Sequence, residues 1–416
     1  MKIVEKKLFK NIASLTLVQG GNYIIPLITL PYLVKTLGPF SYGVLGFSLA
    51  FLQYFNVFIN YGFNLSATQK IALIADDKNE VSKVFWSVIA CQLLLTILSV
   101  MIVIIGVTTS VFLAKQSIII FACMGVLLGN VLFPVWLFQG KECMALSSGV
   151  NIASRLLTIP LVFILVKDSN DAWIAALIMS LTSVLSGILS IAILIKNKWI
   201  TWRPFNLSDI REQFSEGWYL FLSTAAINIY TSSITVLLGF ICGPVVVGYF
   251  VAADKLRLAA QGLIIPVSQA CYPRVVSLLA KNKMHGINFI KKLFIFQGGL
   301  GLLISLMIFI TAPFIIVILY GTDYDSSVNV LRVLAFCPFL VGISNVLGIH
   351  TMSAMGYKKQ FFRILVTVSA ICIAMLYPLS KFYMENGAAF TVLASEALVT
   401  LMMIKFVSTN KILNRN

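Results

Sequence analysis

Long apolar stretches alternate with short polar gaps along this chain, and the cations collect in every second gap. Twelve stretches are predicted to be helical spans: 11–34, 40–64, 84–107, 117–138, 147–166, 173–195, 216–240, 246–270, 291–319, 328–350, 361–379 and 387–406. Each is close to the ~20 residues that a helix needs to cross a bilayer. One set of gaps holds 23 of the 31 Lys and Arg residues, from Lys2, Lys6, Lys7 and Lys10 at the start to Lys405, Lys411 and Arg415 at the end. The alternate gaps hold Lys35, Lys115, Lys167 and Lys381. The positive-inside rule then predicts that both termini are cytoplasmic. Four cations, Arg155, Lys255, Arg257 and Arg332, remain inside spans.

The composition excludes several classes. Hydrophobic residues make up 59% and charged residues 11%, where a soluble domain carries roughly twice that charge. Long continuous apolar runs exclude a transmembrane barrel, whose strands alternate over ~10 residues. The net charge of +16 does not imply nucleic acid, because the cations flank helix ends and face anionic headgroups. MKIVEKKLFK precedes about 24 mostly apolar residues, longer than a cleavable signal sequence, so the first span reads as an uncleaved anchor. The seven cysteines form no CxxC pair, and His285 and His350 lack partners at ligand spacing. No metal site and no cofactor are predicted.

A weak internal repeat runs through the gaps. LGPFSYG (37–43) and CGPVVVG (242–248) share GP-x3-G at an offset of 205 residues, and Gly140-Lys141 is echoed by Gly356-Tyr357-Lys358. Both echoes fall in equivalent gaps of two six-span halves. The predicted fold is therefore an all-α integral membrane protein, with twelve transmembrane helices in two pseudo-symmetric six-helix lobes around a central cavity. The lobes are expected at 1–200 and 201–416. Duplicated bundles of this kind are typical of transporters, with the site near mid-membrane.

Polar residues inside the spans mark candidate sites. Gln53, Asn56, Asn60 and Asn64 follow spacings of 3, 4 and 4, which place all four on one helix face. Such a face is costly toward lipid, so it either bonds to another helix or walls a hydrated cavity. Gln19 and Asn22 repeat the spacing in span one, where Pro26 and Pro31 can bend the helix. In span eight, Asp254, Arg257, Gln261 and Ser268 cluster on one face. Lys255 lies about 100° away from Asp254 and about 160° from Arg257. An Asp254–Arg257 pair would leave Lys255 as the spare cation, either snorkelling or reaching a cavity. Arg155 in span five is too deep to snorkel easily, Glu396 sits near the middle of span twelve, and Arg332 near the outer end of span ten snorkels. The balance is cationic, which favours a phosphate or acidic sugar over a cation. Asp323-Tyr324-Asp325 has the form of a glycosyltransferase DxD but reads as a turn in a short outer loop.

Several stretches together resemble the bacterial polysaccharide repeat-unit flippases, the Wzx-type O-antigen transporters of the multidrug/oligosaccharidyl-lipid/polysaccharide exporter superfamily. They are PLITLPYLVKTLGPFSYG (26–43), YGFNLSATQKIA (61–72), PVWLFQGKECM (134–144), RLLTIPLVFILV (155–166), VGYFVAADKLR (247–257), LYGTDYDSSVNVLRVLA (319–335) and MGYKK (355–359). The resemblance implies a flippase, not an enzyme, that translocates undecaprenyl-pyrophosphate-linked oligosaccharide of O antigen or capsule from the cytoplasmic to the periplasmic leaflet by alternating access. It implies the bacterial inner membrane, membrane lipids and lipid-linked oligosaccharide as partners, and a polysaccharide polymerase and chain-length regulator alongside. By position it assigns Lys255 to the anionic cargo, followed by Arg155 and Arg257. The amides Gln19, Asn22, Gln53, Asn56, Asn60 and Asn64 would meet sugar hydroxyls. Asp254 and Glu396 are the candidates for a coupling ion. A cation-coupled multidrug exporter of the same fold is the alternative reading. It wants acidic residues in the cavity, and the first six spans have no clear intramembrane carboxylate. A membrane-bound polymerase or glycosyltransferase wants a large loop or an acid/base pair, and neither is visible.

Overall fold

The computed structural model describes the backbone of residues 2–413 and the side chains of 27–413, save 219, 223, 224, 226, 227, 229–231, 270 and 273. Every regular element among the described residues is helical. Nine helical stretches there are long and apolar enough to cross a membrane. Two of them hold two predicted spans each. Gly38 (φ 70°, ψ 172°) breaks Lys2–Asn60 into spans one and two, and Met384 (φ 47°, ψ −126°) breaks Lys358–Thr409 into spans eleven and twelve. Span seven, 216–240, lies within the helix Leu207–Cys242 and completes the predicted twelve.

Four spans are interrupted. Span four runs through Ser117–Cys123, Gly125–Leu132 and Val135–Gly140, and span five through Met144–Leu156 and Thr158–Leu165. Span eight is split into Pro244–Gln261 and Ile265–Lys281. Span ten passes from Ser326–Leu334 and Cys337–Asn345 into a π-helix, Val346–Ser353. Span two stops at Asn60, because Tyr61 (φ 41°) and Gly62 (φ 77°) turn left-handed before a new helix, Phe63–Leu73. Asn64 therefore belongs to another helix. The expected face of four amides holds only for Gln53, Asn56 and Asn60.

The contacts divide the chain into two compact units, Thr36–Val236 and Met1–Lys35 with Leu237–Asn416. Both turn large apolar side chains outward. In span three Leu94, Ile97, Met101 and Ile105 are exposed, while Cys91, Gln92, Thr96 and Ser99 are buried. That pattern suits a lipid surround, where helices pack through small side chains and the aliphatic ones face the tails. In the first unit spans four and six cross closely. A Cβ on Gly129 would lie 2.3 Å from Ser183 Oγ, and one on Gly187 would lie 2.5 Å from Leu132 Cβ. In the second unit Gly301 and Gly342 bring spans nine and ten together in the same way. Leu347, Met352, Val368 and Met403 fill the core of spans ten, eleven and twelve.

The repeat seen in sequence has a backbone counterpart. Asp77 and Asn282, 205 positions apart, each cap the following helix with one carboxamide or carboxylate oxygen. Asp77 Oδ1 accepts from the N–H groups of Asn79 and Glu80 at 2.9 and 3.2 Å, and Asn282 Oδ1 from those of Met284 and His285 at 3.0 and 3.2 Å. Spans four and ten end on one motif: the N–H of Cys143 reaches Phe138 O and that of Tyr357 reaches Met352 O, both at 2.8 Å. The left-handed residue within these turns is Glu142 or Gly356. This places Gly356 opposite Glu142, and so corrects the sequence register that paired it with Gly140. Spans six and twelve repeat the motif, with left-handed Lys198 and Lys411.

Candidate functional site

In the first unit, the amides of span two form a ladder. Asn60 Nδ2 donates to Asn56 Oδ1 at 3.2 Å and to Asn56 O at 2.9 Å, and Asn56 Nδ2 donates to Gln53 Oε1 at 3.3 Å. Asn130 of span four joins it, donating from Nδ2 to Asn56 Oδ1 at 2.9 Å. Asn56 is thus the hub of an interhelical network. Sequence reasoning missed Asn130, although a lone amide in the apolar run of span four was a usable signal. Asn64 is exposed, and its carbonyl accepts from Thr68 Oγ1 at 2.7 Å. The side chains of Gln19 and Asn22 lie outside the described residues.

Arg155 stands in the last turn of Met144–Leu156, where the free carbonyls of a helix end favour a cation. Its side chain is exposed and makes no ion pair among the described residues. Pro160 follows in the next helical segment.

The second unit holds the charged group of span eight. Arg257 Nε and Nη2 both lie 2.7 Å from Asp254 Oδ1, and Nη1 donates to Gln261 Oε1 at 2.8 Å. Arg257 is 8% exposed. Glu396 of span twelve lies within electrostatic reach of the same guanidinium. Arg257 therefore spends its charge on Asp254. Lys255 does not share this arrangement: it is exposed and unpaired among the described residues. It stands eleven residues from Pro244, about 16 Å along the helix; with Pro244 at the edge of a ~30 Å hydrocarbon core it would reach near the middle. An exposed ammonium at that depth is tolerable only beside water or a counter-ion.

Ser268, expected on the Asp254 face, follows the break at Gly262–Ile264. Its hydroxyl instead meets His350 Nε2 at 2.9 Å, where His350 is fully buried on the π-helix. Arg332 stacks over Phe309, 5.8 Å from the ring centroid. Asp323-Tyr324-Asp325 is a turn: Thr322–Tyr324 is a 3-10 helix, and buried Tyr324 donates its hydroxyl proton to Val34 O at 3.1 Å. No group of three or more His, Cys, Asp or Glu able to hold a metal occurs among the described residues.

On the side with most cations, Lys70 pairs with Glu212 and with Glu216 (3.3 Å), and Lys83 with Asp209 at 3.0 Å. The Asn206 N–H, 2.9 Å from Asp209 Oδ2, holds that carboxyl below the usual carboxylate range; burial opposes the shift and Lys83 adds to it. These pairs tie Phe63–Leu73 and Lys78–Thr109 to the start of span seven.

Residues 8–279 match a family described as polysaccharide biosynthesis protein, and residues 275–411 match a second family of the same description. A protein of Escherichia coli K12 is 41% identical over 408 residues, 97% of either chain, and one of Shigella dysenteriae is 33% identical over 403 residues, 96% of this chain and 99% of its own. Both carry the name "Putative O-antigen transporter". Among solved structures, the lipid II flippase MurJ in an inward closed conformation superposes with a TM-score of 0.77 at 14% identity, over 95% of this chain and 87% of that one. An inward-facing multidrug resistance MATE family transporter superposes with a TM-score of 0.69 at 16% identity, over 94% and 95% of the two chains. These two likenesses establish the all-helical fold.

Proposed function

Because the chain belongs to the polysaccharide biosynthesis protein family, we propose that it is a flippase that carries undecaprenyl-pyrophosphate-linked oligosaccharide of O antigen or capsule from the cytoplasmic to the periplasmic leaflet of the bacterial inner membrane. Similarity over nearly the whole length to two proteins named as O-antigen transporters supports this over a multidrug exporter. Spans one to six and seven to twelve, 1–200 and 201–416, act as the two halves, a division that the repeated turns and caps support. Both termini are cytoplasmic, as the 23-to-4 distribution of cations favours. A polymerase and a chain-length regulator would take the product onward.

One observation carries the site: Lys255 is an exposed, unpaired cation at mid-span beside an arginine already neutralised by Asp254. The diphosphate of the cargo would meet Lys255 in its own unit, and Arg155 is kept as a separate cationic candidate in the other. Arg257 would act through its hold on Asp254, and free amide groups of Gln53 and Asn60 would face sugar hydroxyls. Gln19, Asn22 and Asn64 are kept as further amide candidates. Access alternates from one side of the membrane to the other, while the lipid tail stays in the bilayer. Moving about two negative charges outward through ~100 mV, inside negative, releases roughly 5 kcal/mol, so export of an anion needs no nucleotide. Asp254 and Glu396 remain the candidates for a coupling ion.

Complementation of a strain lacking its O-antigen flippase tests the reading. The wild-type gene restores surface polysaccharide, and Lys255→Ala or Arg155→Ala abolishes it at equal membrane levels on an immunoblot. Full activity of both variants would remove these residues from the mechanism.

A further inference from the structure

We propose that a notch on the lipid-facing surface of span nine docks the carrier's polyprenyl chain, with Lys291 and Lys292 holding its diphosphate before translocation. The proposal rests on the flippase reading and names where the carrier first engages the protein.

Ile295, Phe296, Gly299, Leu300 and Leu303, all on span nine, line a shallow open depression of about 330 Å³. Its apolar walls are exposed: Ile295, Phe296 and Leu303 are 74%, 56% and 57% accessible. Glycine explains the notch. Span nine reads Gly298-Gly299-Leu300-Gly301, and two of these glycines serve packing against span ten. A Cβ on Gly298 would meet Ile343, and one on Gly301 would lie 2.8 Å from Pro338 O. Gly299 meets nothing within 4 Å. Its missing side chain leaves a gap on a face where every neighbour is large.

The cations lie at one end of that gap. Lys291 and Lys292 precede Ile295 and Phe296 by four residues, one helical turn. At 100° per residue Lys292 stands at the angular centre of the groove, and Lys291 flanks it. Both are exposed, and neither makes an ion pair among the described residues. From Ile295 to Leu303 the groove rises about 12 Å, less than half of a ~30 Å core. It therefore lies in one leaflet, the one whose headgroups the two lysines would reach. By the distribution of cations that leaflet is cytoplasmic, the side on which the carrier is loaded. Two adjacent ammonium groups complement a diphosphate better than the single negative charge of a phosphodiester lipid.

The test uses the full chain in nanodiscs of phosphatidylethanolamine and phosphatidylglycerol, with Phe296→p-benzoylphenylalanine as photoprobe and tritiated undecaprenyl diphosphate as ligand. The expected result is saturable labelling that falls at least fivefold in Gly299→Leu and in the paired Lys291→Gln and Lys292→Gln variant. The same probe at Ile188, exposed on span six, gives no saturable labelling. The lysine variant changes only surface groups, so it reads the site even if filling the notch harms folding. Labelling that persists in both variants, or that excess phosphatidylglycerol removes as well as excess undecaprenyl diphosphate does, overturns the proposal. An unlabelled protein that still exports polysaccharide overturns the notch alone. A protein that neither binds the carrier nor exports overturns the flippase reading with it.

Discussion

Gly38 and Gly243 lie 205 positions apart and hold the same backbone shape, with φ and ψ of 70° and 172° at one and 86° and 177° at the other. Each precedes a proline that begins a helix. Asp77 and Asn282 keep the same separation and cap their helices alike. The likeness extends past the turns to the ends of spans four and ten and of spans six and twelve, where left-handed Glu142 and Gly356, and Lys198 and Lys411, lie 214 and 213 positions apart. The GP-x3-G echo is thus one member of a series of matched breaks and caps.

That conformation is open almost only to glycine, and the outlying backbone costs roughly 1–3 kcal/mol for another residue. Gly38→Ala and Gly243→Ala should each lower thermal stability in detergent by similar amounts. A Cβ at either site meets nothing within 4 Å, so the loss is conformational and not steric. Gly149→Ala, in a helix and equally uncrowded, should leave stability unchanged or raise it by up to about 1 kcal/mol.

Asn56 and Asn130 should be energetically coupled. A double-mutant cycle with alanine, read by thermal unfolding in detergent, should give about 0.5–1.5 kcal/mol, the range of interhelical hydrogen bonds in membranes. The same cycle between Asn64 and Asn130 should give none.

Spans nine and ten should resist added bulk at their crossing. Gly342→Ala drives a Cβ to within 2.8 Å of Gln297 O, and Gly301→Ala meets Pro338 O at the same distance. Each should cost about 1–3 kcal/mol by overpacking. Gly299→Ala, facing open space, should be tolerated in the same melting experiment.

Acid should weaken the anchor at the start of span seven. The native Asp209 carboxyl is held below its ordinary range, so its stabilisation is complete above the unfolded value, near 3.9, and is lost as pH falls toward and through the lowered native value. Melting temperature measured from pH 6 to pH 3 should fall less steeply in Asp209→Asn, whose stability at pH 6 is already reduced.

The twelve spans were legible because lipid enforces a crude rule, about twenty apolar residues with cations kept to one side. The breaks within them were harder to read. Nothing local announces the left-handed Tyr61, and its position is what removes Asn64 from the face of Gln53, Asn56 and Asn60. A 3.6-residue period predicts neighbours only as far as the helix lasts. The pairing of Asp254 with Arg257 was readable at i,i+3, because both partners share one helix. The bonds of Asn56 to Asn130 and of Ser268 to His350 join different spans, so spacing along the chain says nothing of them.

Proteoliposomes loaded with a lipid-linked oligosaccharide in one leaflet, and probed by a lectin confined to the other side, test the central claim most directly. The wild-type protein should bring the sugar to the lectin far faster than protein-free vesicles, with Lys255→Ala and Arg155→Ala together slowing it at least tenfold. Wild-type vesicles no faster than empty ones would contradict the account.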